Sequence, residues 1–141
     1  MSSPSTATYT GGCLCGAVRY EAHGEPRSQG YCFCRDCHKA SGSGFIPFLS
    51  FPASSVRFAG ELRQSIVKSA RGEDAVRNRC ATCGSLVFGG PVGTAEFHTI
   101  YGGSLDDSSR FRPTIAIFTR DKPDWVLMPP GIAAFETLPG M

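Results

Sequence analysis

Three cysteines fall within six residues at Cys32, Cys34 and Cys37, in the spacing C-x-C-x-x-C. Thiolates are preferred ligands of zinc, and a tetrahedral zinc with three protein ligands keeps a fourth position open, as catalytic zinc sites do. The spacing therefore predicts a zinc site that could bind a substrate atom. Because alternate residues of an extended segment share a face, Cys32 and Cys34 point the same way, and a turn at Arg35-Asp36 returns Cys37 to them.

Two further cysteine pairs flank this triple in the chain. Cys13 and Cys15 stand in a C-x-C-G element, and Cys80 and Cys83 stand in a C-x-x-C-G element. Together they supply the four thiolates of a closed structural zinc site, so we predict two zinc ions per chain. Since the pairs are distant in sequence, this metal would act as a cross-link.

Two alternative ligand assignments remain open from the residues alone. One is a single shared metal site with the spare cysteines buried as small hydrophobic residues. The other adds His38 to the triple as a fourth ligand, which would give a structural Cys₃His set. His23 and His98 are expected to occupy ordinary loop and strand positions.

Cysteine count and charge bound the class of protein. Seven cysteines cannot all form pairs, and the first ten residues (MSSPSTATYT) lack the basic start and apolar run of a secretory signal. We therefore expect reduced thiols, a cytoplasmic location and no membrane association. The formal net charge is +2; two zinc–thiolate sites bring it to about −1, which disfavours nucleic-acid binding.

The rest of the chain predicts a mainly β domain that positions these cysteines. Glycine (17) and proline (10) are abundant, and about nine short strands alternate with turns, with at most one short helical turn at residues 37–42. We predict a flexible arm over residues 1–10 and one zinc-binding domain over residues 11–141. Pro47 is expected on an edge strand or at a bulge, and Trp125 is expected to anchor the C-terminal tail.

Two arginines precede the last cysteine pair. Arg77 and Arg79 alternate on a predicted strand, with Lys68 and Arg71 nearby. They form either a solvated strand face or a cationic rim that attracts an anionic ligand, since arginine suits carboxylates.

Several runs of the sequence resemble one known family. They are GGCLCGAVRY at residues 11–20, CFCRDCHK at 32–39, RCATCGSLVF at 79–88, Leu105-Asp106-Asp107, Phe111-Arg112-Pro113 and Trp125. These motifs resemble those of the glutathione-dependent formaldehyde-activating enzyme family, also called the centromere-protein-V/Gfa family. The resemblance spans about Gly11 to Trp125. Where family members often carry a His-Ile-Trp-like run, this chain has Ala116-Ile117-Phe118.

The resemblance implies an Mss4-like zinc-binding β fold with two zincs. It assigns Cys13, Cys15, Cys80 and Cys83 to the structural ion, and Cys32, Cys34 and Cys37 to the catalytic ion. It also implies a carbon–sulfur lyase-type activity that condenses glutathione with formaldehyde to S-hydroxymethylglutathione. Arg77 and Arg79 would then receive the carboxylates of glutathione.

Two other function classes remain open from the sequence. The first is a zinc-stabilised protein-interaction module without catalysis, in which the triple takes a fourth ligand. The second is a metal or thiol sensor, because exposed thiolates oxidise readily. The sequence predicts neither an oligomeric state nor the identity of the substrate.

Overall fold

The structure is a computed structural model that describes residues 7–69 and 71–139. This part of the chain contains eleven strands, one α-helix and four short 3₁₀ turns. The strands and the helix are β1 (Thr8–Gly12), β2 (Arg19–His23), β3 (Ser28–Cys32), α1 (Arg35–Ser41), β4 (Ile46–Pro52), β5 (Val56–Ala59), β6 (Leu62–Lys68), β7 (Asp74–Cys80), β8 (Leu86–Gly89), β9 (Phe97–Tyr101), β10 (Ile115–Ile117) and β11 (Ala133–Ala134).

The strands form two sheets. The small sheet has the order β1-β2-β5, and the large sheet has the order β11-β10-β3-β4-β9-β8-β7-β6. All pairings between neighbouring strands are antiparallel except those of β10, which runs parallel to both β3 and β11. The prediction of a mainly β fold is confirmed.

The core lies between one face of the large sheet and the small sheet. On β4, Leu49 and Phe51 join this core, together with Ile100 of β9 and with Tyr20 and Val56 of the small sheet. Successive side chains of a strand alternate between faces. The intervening residues of β4 and β9 therefore face away from the core, and they line the cavity described below.

Two expectations about the chain ends need correction. Residues 1–6 of the predicted arm lie outside the described residues, but Thr8–Gly12 forms β1 and pairs with β2, so residues 8–10 are not an arm. Trp125 does not anchor the tail by burial, because it is 73% exposed. Backbone hydrogen bonds hold the tail instead, from Ala133 N–H to Thr114 O and from Phe135 N–H to Ala116 O.

Pro47 is not on an edge strand, because β4 lies between β3 and β9. The pairing of β4 with β9 begins at Phe48 opposite Tyr101. Pro47 is thus one residue beyond that ladder, where its missing N–H removes no hydrogen bond to β9. The proline is therefore tolerated because it lies beyond the end of the pairing with β9, although its strand is an inner strand of the sheet.

Gly30 of β3 permits the close approach of β10, which flanks the strand that ends at Cys32. A β-carbon at Gly30 would lie 2.0 Å from the carbonyl oxygen of Ile115. We expect Gly30→Ala to lower the free energy of unfolding by about 1–3 kcal/mol, the usual range for overpacking. Gly103→Ala is the control, since a β-carbon there meets nothing within 4 Å. Equal urea-unfolding midpoints for the two variants would contradict this role of Gly30.

Candidate functional site

Four cysteines meet where the two sheets join. Cys13 and Cys15 follow β1 of the small sheet, whereas Cys80 ends β7 of the large sheet and Cys83 lies in the next turn. Their four sulfurs lie within 4.8 Å of one another. The sulfur of Cys15 is 3.6 Å from that of Cys13 and 3.7 Å from that of Cys80. A tetrahedron with metal–sulfur bonds of 2.3 Å has edges of about 3.8 Å, so the donor set fits zinc.

Backbone N–H groups surround the sulfurs of this four-cysteine set. Val18 N–H donates to the Cys13 sulfur at 3.2 Å, and Thr82 N–H donates to the Cys80 sulfur at 3.3 Å. Gly84 takes φ +77°, a conformation that glycine adopts without strain, and its N–H donates to Cys80 O. Hydrogen bonds from Ser85 lower the pKa of Cys83 to about 5. The hydrogen bonds that end on the sulfurs of Cys13, Cys80 and Cys83 favour the thiolate form that a metal requires.

The other three cysteines meet at the start of α1. Cys32 ends β3, Cys34 is the N-cap of α1, and Cys37 lies in its first turn; their sulfurs are within 4.8 Å of one another. The Cys34 sulfur accepts a hydrogen bond from Cys37 N–H at 3.3 Å. The helix begins two residues before the predicted turn and ends at Ser41, with Gly42 as its C-cap at φ +73°.

The electrostatics of the triple suit a divalent cation. Hydrogen bonds from the Cys32 and Cys37 thiols lower the pKa of Cys34 to about 2, and the bond to Cys34 raises the pKa of Cys32 to about 12. The pKa of Cys37 is also raised, first by its contact with Cys32. Three neighbouring thiols therefore cannot all ionise by themselves, whereas a zinc ion would favour three thiolates.

The structure thus brings the predicted cysteines together as two separate sets, each able to hold a metal ion. His38 contributes no nitrogen to the triple; its Nε2 atom is buried without a hydrogen-bond partner among the described residues. His98 is buried with Nδ1 3.2 Å from Gly89 O, and His23 lies beside Glu21 at the surface. Within the described chain, the triple therefore has three protein ligands.

A cavity of about 700 Å³ opens beside the triple, on the face of the large sheet that points away from the core. Cys32 and Cys37 form part of its wall. Its floor includes alternate residues from five adjacent strands, namely Ser28, Ile46, Phe48, Ser50, Thr99, Tyr101, Gly89, Ala75 and Arg77. The metal set therefore lies at the edge of a space that could hold a small molecule.

Apart from the cysteines, the charged side chains in this cavity wall are all cationic. Arg27, Arg71 and Arg77 line it, and no aspartate or glutamate does so among the described residues. Arg77 is only 9% exposed and also lines a smaller cavity of about 110 Å³ beside all three cysteines of the triple. The cavity therefore favours an anionic ligand.

Of the two arginines predicted to share a face, only Arg77 lines the cavity. Both lie on β7, which pairs regularly with β6 from Asp74 to Cys80, and the charges of both lower the pKa of Tyr101, but Arg79 is absent from the cavity wall in the described chain. Its guanidinium instead donates to the carbonyl oxygens of Gly84 and Ala40, at 3.4 and 3.3 Å. Arg79 thus ties the Cys80–Cys83 turn to α1, while Arg77 remains a candidate ligand-binding residue.

Tyr101 is a residue that the sequence reasoning missed. It lines the cavity, and burial raises the pKa of its hydroxyl above the usual value of 10.0. The charges of Cys37 and Cys32 add to this rise, which places the ring in the electrostatic range of the triple. A β-carbon at Gly89 would lie 2.7 Å from the Tyr101 hydroxyl oxygen, so the missing side chain makes room for it.

In the run Ala116-Ile117-Phe118, the side chain of Ala116 does not face the cavity. Ile115 and Ile117 line it, whereas Ala116 does not and is fully buried. Phe118 lines the smaller cavity and has φ +55°, the sole positive φ of a non-glycine residue in the described chain. Such strain costs about 1–3 kcal/mol and is common near functional sites.

No helix in the part of the chain described here is long and apolar enough to cross a membrane. No curated protein matches the chain by sequence. Among solved structures, that of a Rhodobacter sphaeroides protein matches with a TM-score of 0.52 and 17% identity, over 89% of this chain and 98% of that one. This likeness supports the fold alone.

The family comparison agrees with the resemblance seen in the motifs. The protein-family model described as glutathione-dependent formaldehyde-activating enzyme matches residues 8–121 of this sequence. The match includes all seven cysteines, together with Arg27, Arg77 and Tyr101. The chain therefore belongs to the glutathione-dependent formaldehyde-activating enzyme family.

Proposed function

We propose that this protein is a zinc-dependent enzyme of the carbon–sulfur lyase type, which condenses glutathione with formaldehyde to S-hydroxymethylglutathione. The observation that carries the proposal is the set of three cysteines beside a cationic cavity, in a chain of this family. A purely structural zinc site would need a fourth protein ligand, and the set has three among the described residues. The three-ligand set and its cavity therefore favour catalysis over an interaction module.

Each cysteine set has one role in this proposal. Cys13, Cys15, Cys80 and Cys83 hold a structural zinc, and Cys32, Cys34 and Cys37 hold a second zinc. With three protein ligands, that site would leave a position for the substrate sulfur, and the metal would favour its thiolate form. Free thiols in this number suit a reducing compartment, and we place the protein in the cytoplasm.

The chain's own residues would orient the two substrates. Arg77, buried beside the triple, attracts the anionic thiol. The new bond joins the thiol sulfur to the formaldehyde carbon, the carbon–oxygen π bond breaks, and the thiol proton is finally carried by the hydroxyl oxygen of the product. Because its raised pKa keeps Tyr101 protonated, its hydroxyl can donate a hydrogen bond to that oxygen as negative charge develops there.

Tyr101→Phe tests the assigned donor. We expect turnover to fall on the order of 10²-fold, as when a hydrogen bond to a developing oxyanion is removed. Metal content and the Kd for glutathione should stay unchanged, because the ring is retained. Turnover is measured by NMR with ¹³C-formaldehyde, against Tyr31→Phe as the control, since Tyr31 contacts aromatic rings and does not line the cavity. Equal turnover in the two variants would remove Tyr101 from the mechanism.

The proposed function is tested with cobalt in place of zinc, because cobalt absorption reports the number of thiolate ligands. We expect two cobalt ions per chain, and an increase of the charge-transfer bands of one site when glutathione is added. Added ¹³C-formaldehyde should then give S-hydroxymethylglutathione faster than the same mixture without protein. A spectrum that does not respond to glutathione would contradict the proposal and favour the interaction module.

A further inference from the structure

Arg27 lines the 700 Å³ cavity at the end where Ser50 lies, and its side chain is held in a fixed position there. Its guanidinium carbon lies 3.5 Å from the centroid of the Phe97 ring. Its Nε donates to Ser50 Oγ at 3.3 Å, and its backbone N–H donates to Ser50 O at 2.8 Å. An arginine stacked on a ring keeps its planar fork oriented, so little side-chain freedom is lost when it binds a ligand.

The two Nη groups of Arg27 are available to a ligand. Across residues 7–69 and 71–139, no carboxylate oxygen lies within 4.0 Å of its guanidinium. The described cavity wall also contains no acidic side chain. A forked guanidinium at the edge of such a cavity matches the geometry of a carboxylate.

Strand register gives the distance between Arg27 and the triple. Ser50, which accepts from Arg27, lies four residues along β4 from Ile46, and Ile46 is the residue opposite Cys32. Four residues of an antiparallel strand span about 13 Å. Roughly 2–3 Å at each end belongs to the contact of the sulfur with the triple and to the hydrogen bond of the carboxylate, which leaves roughly 8 Å for the ligand. The sulfur of a tripeptide such as glutathione lies on the central residue, so a terminal carboxylate is about two extended residues away, roughly 7 Å, whereas the carboxylate of a single amino acid is about one residue away, roughly 3.5 Å. A thiol of tripeptide size can therefore come within reach of Arg27, and a single amino acid cannot.

We infer that Arg27 binds a carboxylate of the substrate at the end of the cavity remote from the cysteine triple, and thereby selects tripeptide-sized thiols over short ones. The inference rests on the proposed function, in which the sulfur lies at the triple. It assigns to Arg27 one of the two carboxylates that the sequence analysis gave to Arg77 and Arg79 together. Arg77, which lines both the 700 Å³ and the 110 Å³ cavity together with Cys32 and Cys37, serves the end of the ligand near the sulfur.

The test compares Arg27→Gln with Arg63→Gln in zinc-loaded protein. Arg63 is exposed on β6, the edge strand of the large sheet, and does not line the cavity. Calorimetric titration should show the Kd for glutathione rise about 10-fold or more in Arg27→Gln, as expected when a hydrogen bond to a charged group is lost. The Kd for cysteine should not change, and Arg63→Gln should match the wild type. Two zinc ions per chain and an unchanged circular dichroism spectrum check folding.

Esterified and S-methylated ligands complete the test. Glutathione diethyl ester lacks both carboxylates, so its Kd should be the same in wild type and Arg27→Gln. An unchanged Kd for glutathione in Arg27→Gln, or an equal loss of affinity for the ester, would overturn the inference.

S-methylglutathione keeps both carboxylates but has no free thiol, which separates this inference from the proposed function. If its binding depends on Arg27 while formaldehyde is not condensed, the proposed function fails and the carboxylate site stands. If condensation proceeds and Arg27→Gln binds this ligand as the wild type does, the proposed function stands and the carboxylate site at Arg27 is overturned.

Discussion

Cys83→Ser is expected to unfold the protein. Cys83 belongs to the set that joins the turn after β1 in the small sheet to the end of β7 in the large sheet. Structural zinc sites contribute on the order of 10–16 kcal/mol of apparent binding free energy, whereas a whole domain is stable by about 5–15 kcal/mol. Since serine does not replace a thiolate as a zinc ligand, weakening this site removes most or all of the margin of stability.

Cys83 is a more informative member of the set than Cys13 or Cys80, because its own packing contributes less. Cys13 and Cys80 are buried in the core at 9% and 2% exposure, so their replacement would also disturb hydrophobic contacts. Cys83 is partly exposed at the edge of the core. Its replacement therefore tests mainly the metal.

The measurement is the near-ultraviolet circular dichroism spectrum, together with zinc content per chain. We expect loss of the tertiary signal in Cys83→Ser, and the same loss when a strong chelator removes zinc from the wild type. A folded Cys83→Ser protein with one zinc would show that the sheets hold together without this cross-link. The structural assignment of the four-cysteine set would then be wrong.

The cysteine sets could be predicted from the sequence because each pair or triple is local. Two sulfurs separated by one or two residues are brought together by the alternation of a strand or by one tight turn. Cys32 and Cys34, or Cys80 and Cys83, need no long-range contact to become neighbours. The strand pattern likewise predicted a mainly β fold, because alternation and glycine-rich turns are local signals.

The cavity could not be predicted, because it depends on strand register. Regular alternation puts Arg77 and Arg79 on one face of β7, but only Arg77 lines the cavity, because Arg79 donates to the carbonyl oxygens of Gly84 and Ala40. Arg27 stands outside every motif of the sequence, and only the pairing of β4 with β3 and β9 brings it to Ser50 and Phe97. Tyr101 faces the cavity through the same long-range pairing.

Cys34→Ser is expected to abolish the condensation while the protein remains folded. The Cys34 sulfur has two roles, as a member of the metal set and as the acceptor for Cys37 N–H at the N-cap of α1. Serine is among the best N-cap residues, so its hydroxyl can replace the second role. It does not replace the first, because a neutral hydroxyl is a poor zinc ligand. The substitution therefore separates metal binding from helix capping.

Metal content should fall from two zinc ions per chain to one, and turnover should fall to the uncatalysed rate, with near-ultraviolet circular dichroism retained. Cys34→Ala provides the comparison, since it removes the cap as well and should be less stable than Cys34→Ser by about 1 kcal/mol. Because α1 carries Cys37 and the Arg79 contact at Ala40, this difference reports how far the helix depends on its cap. Full turnover in a Cys34→Ser protein with one zinc would place the reaction away from the triple. The proposed mechanism would then be wrong, because the four-cysteine set has no open position for a substrate sulfur.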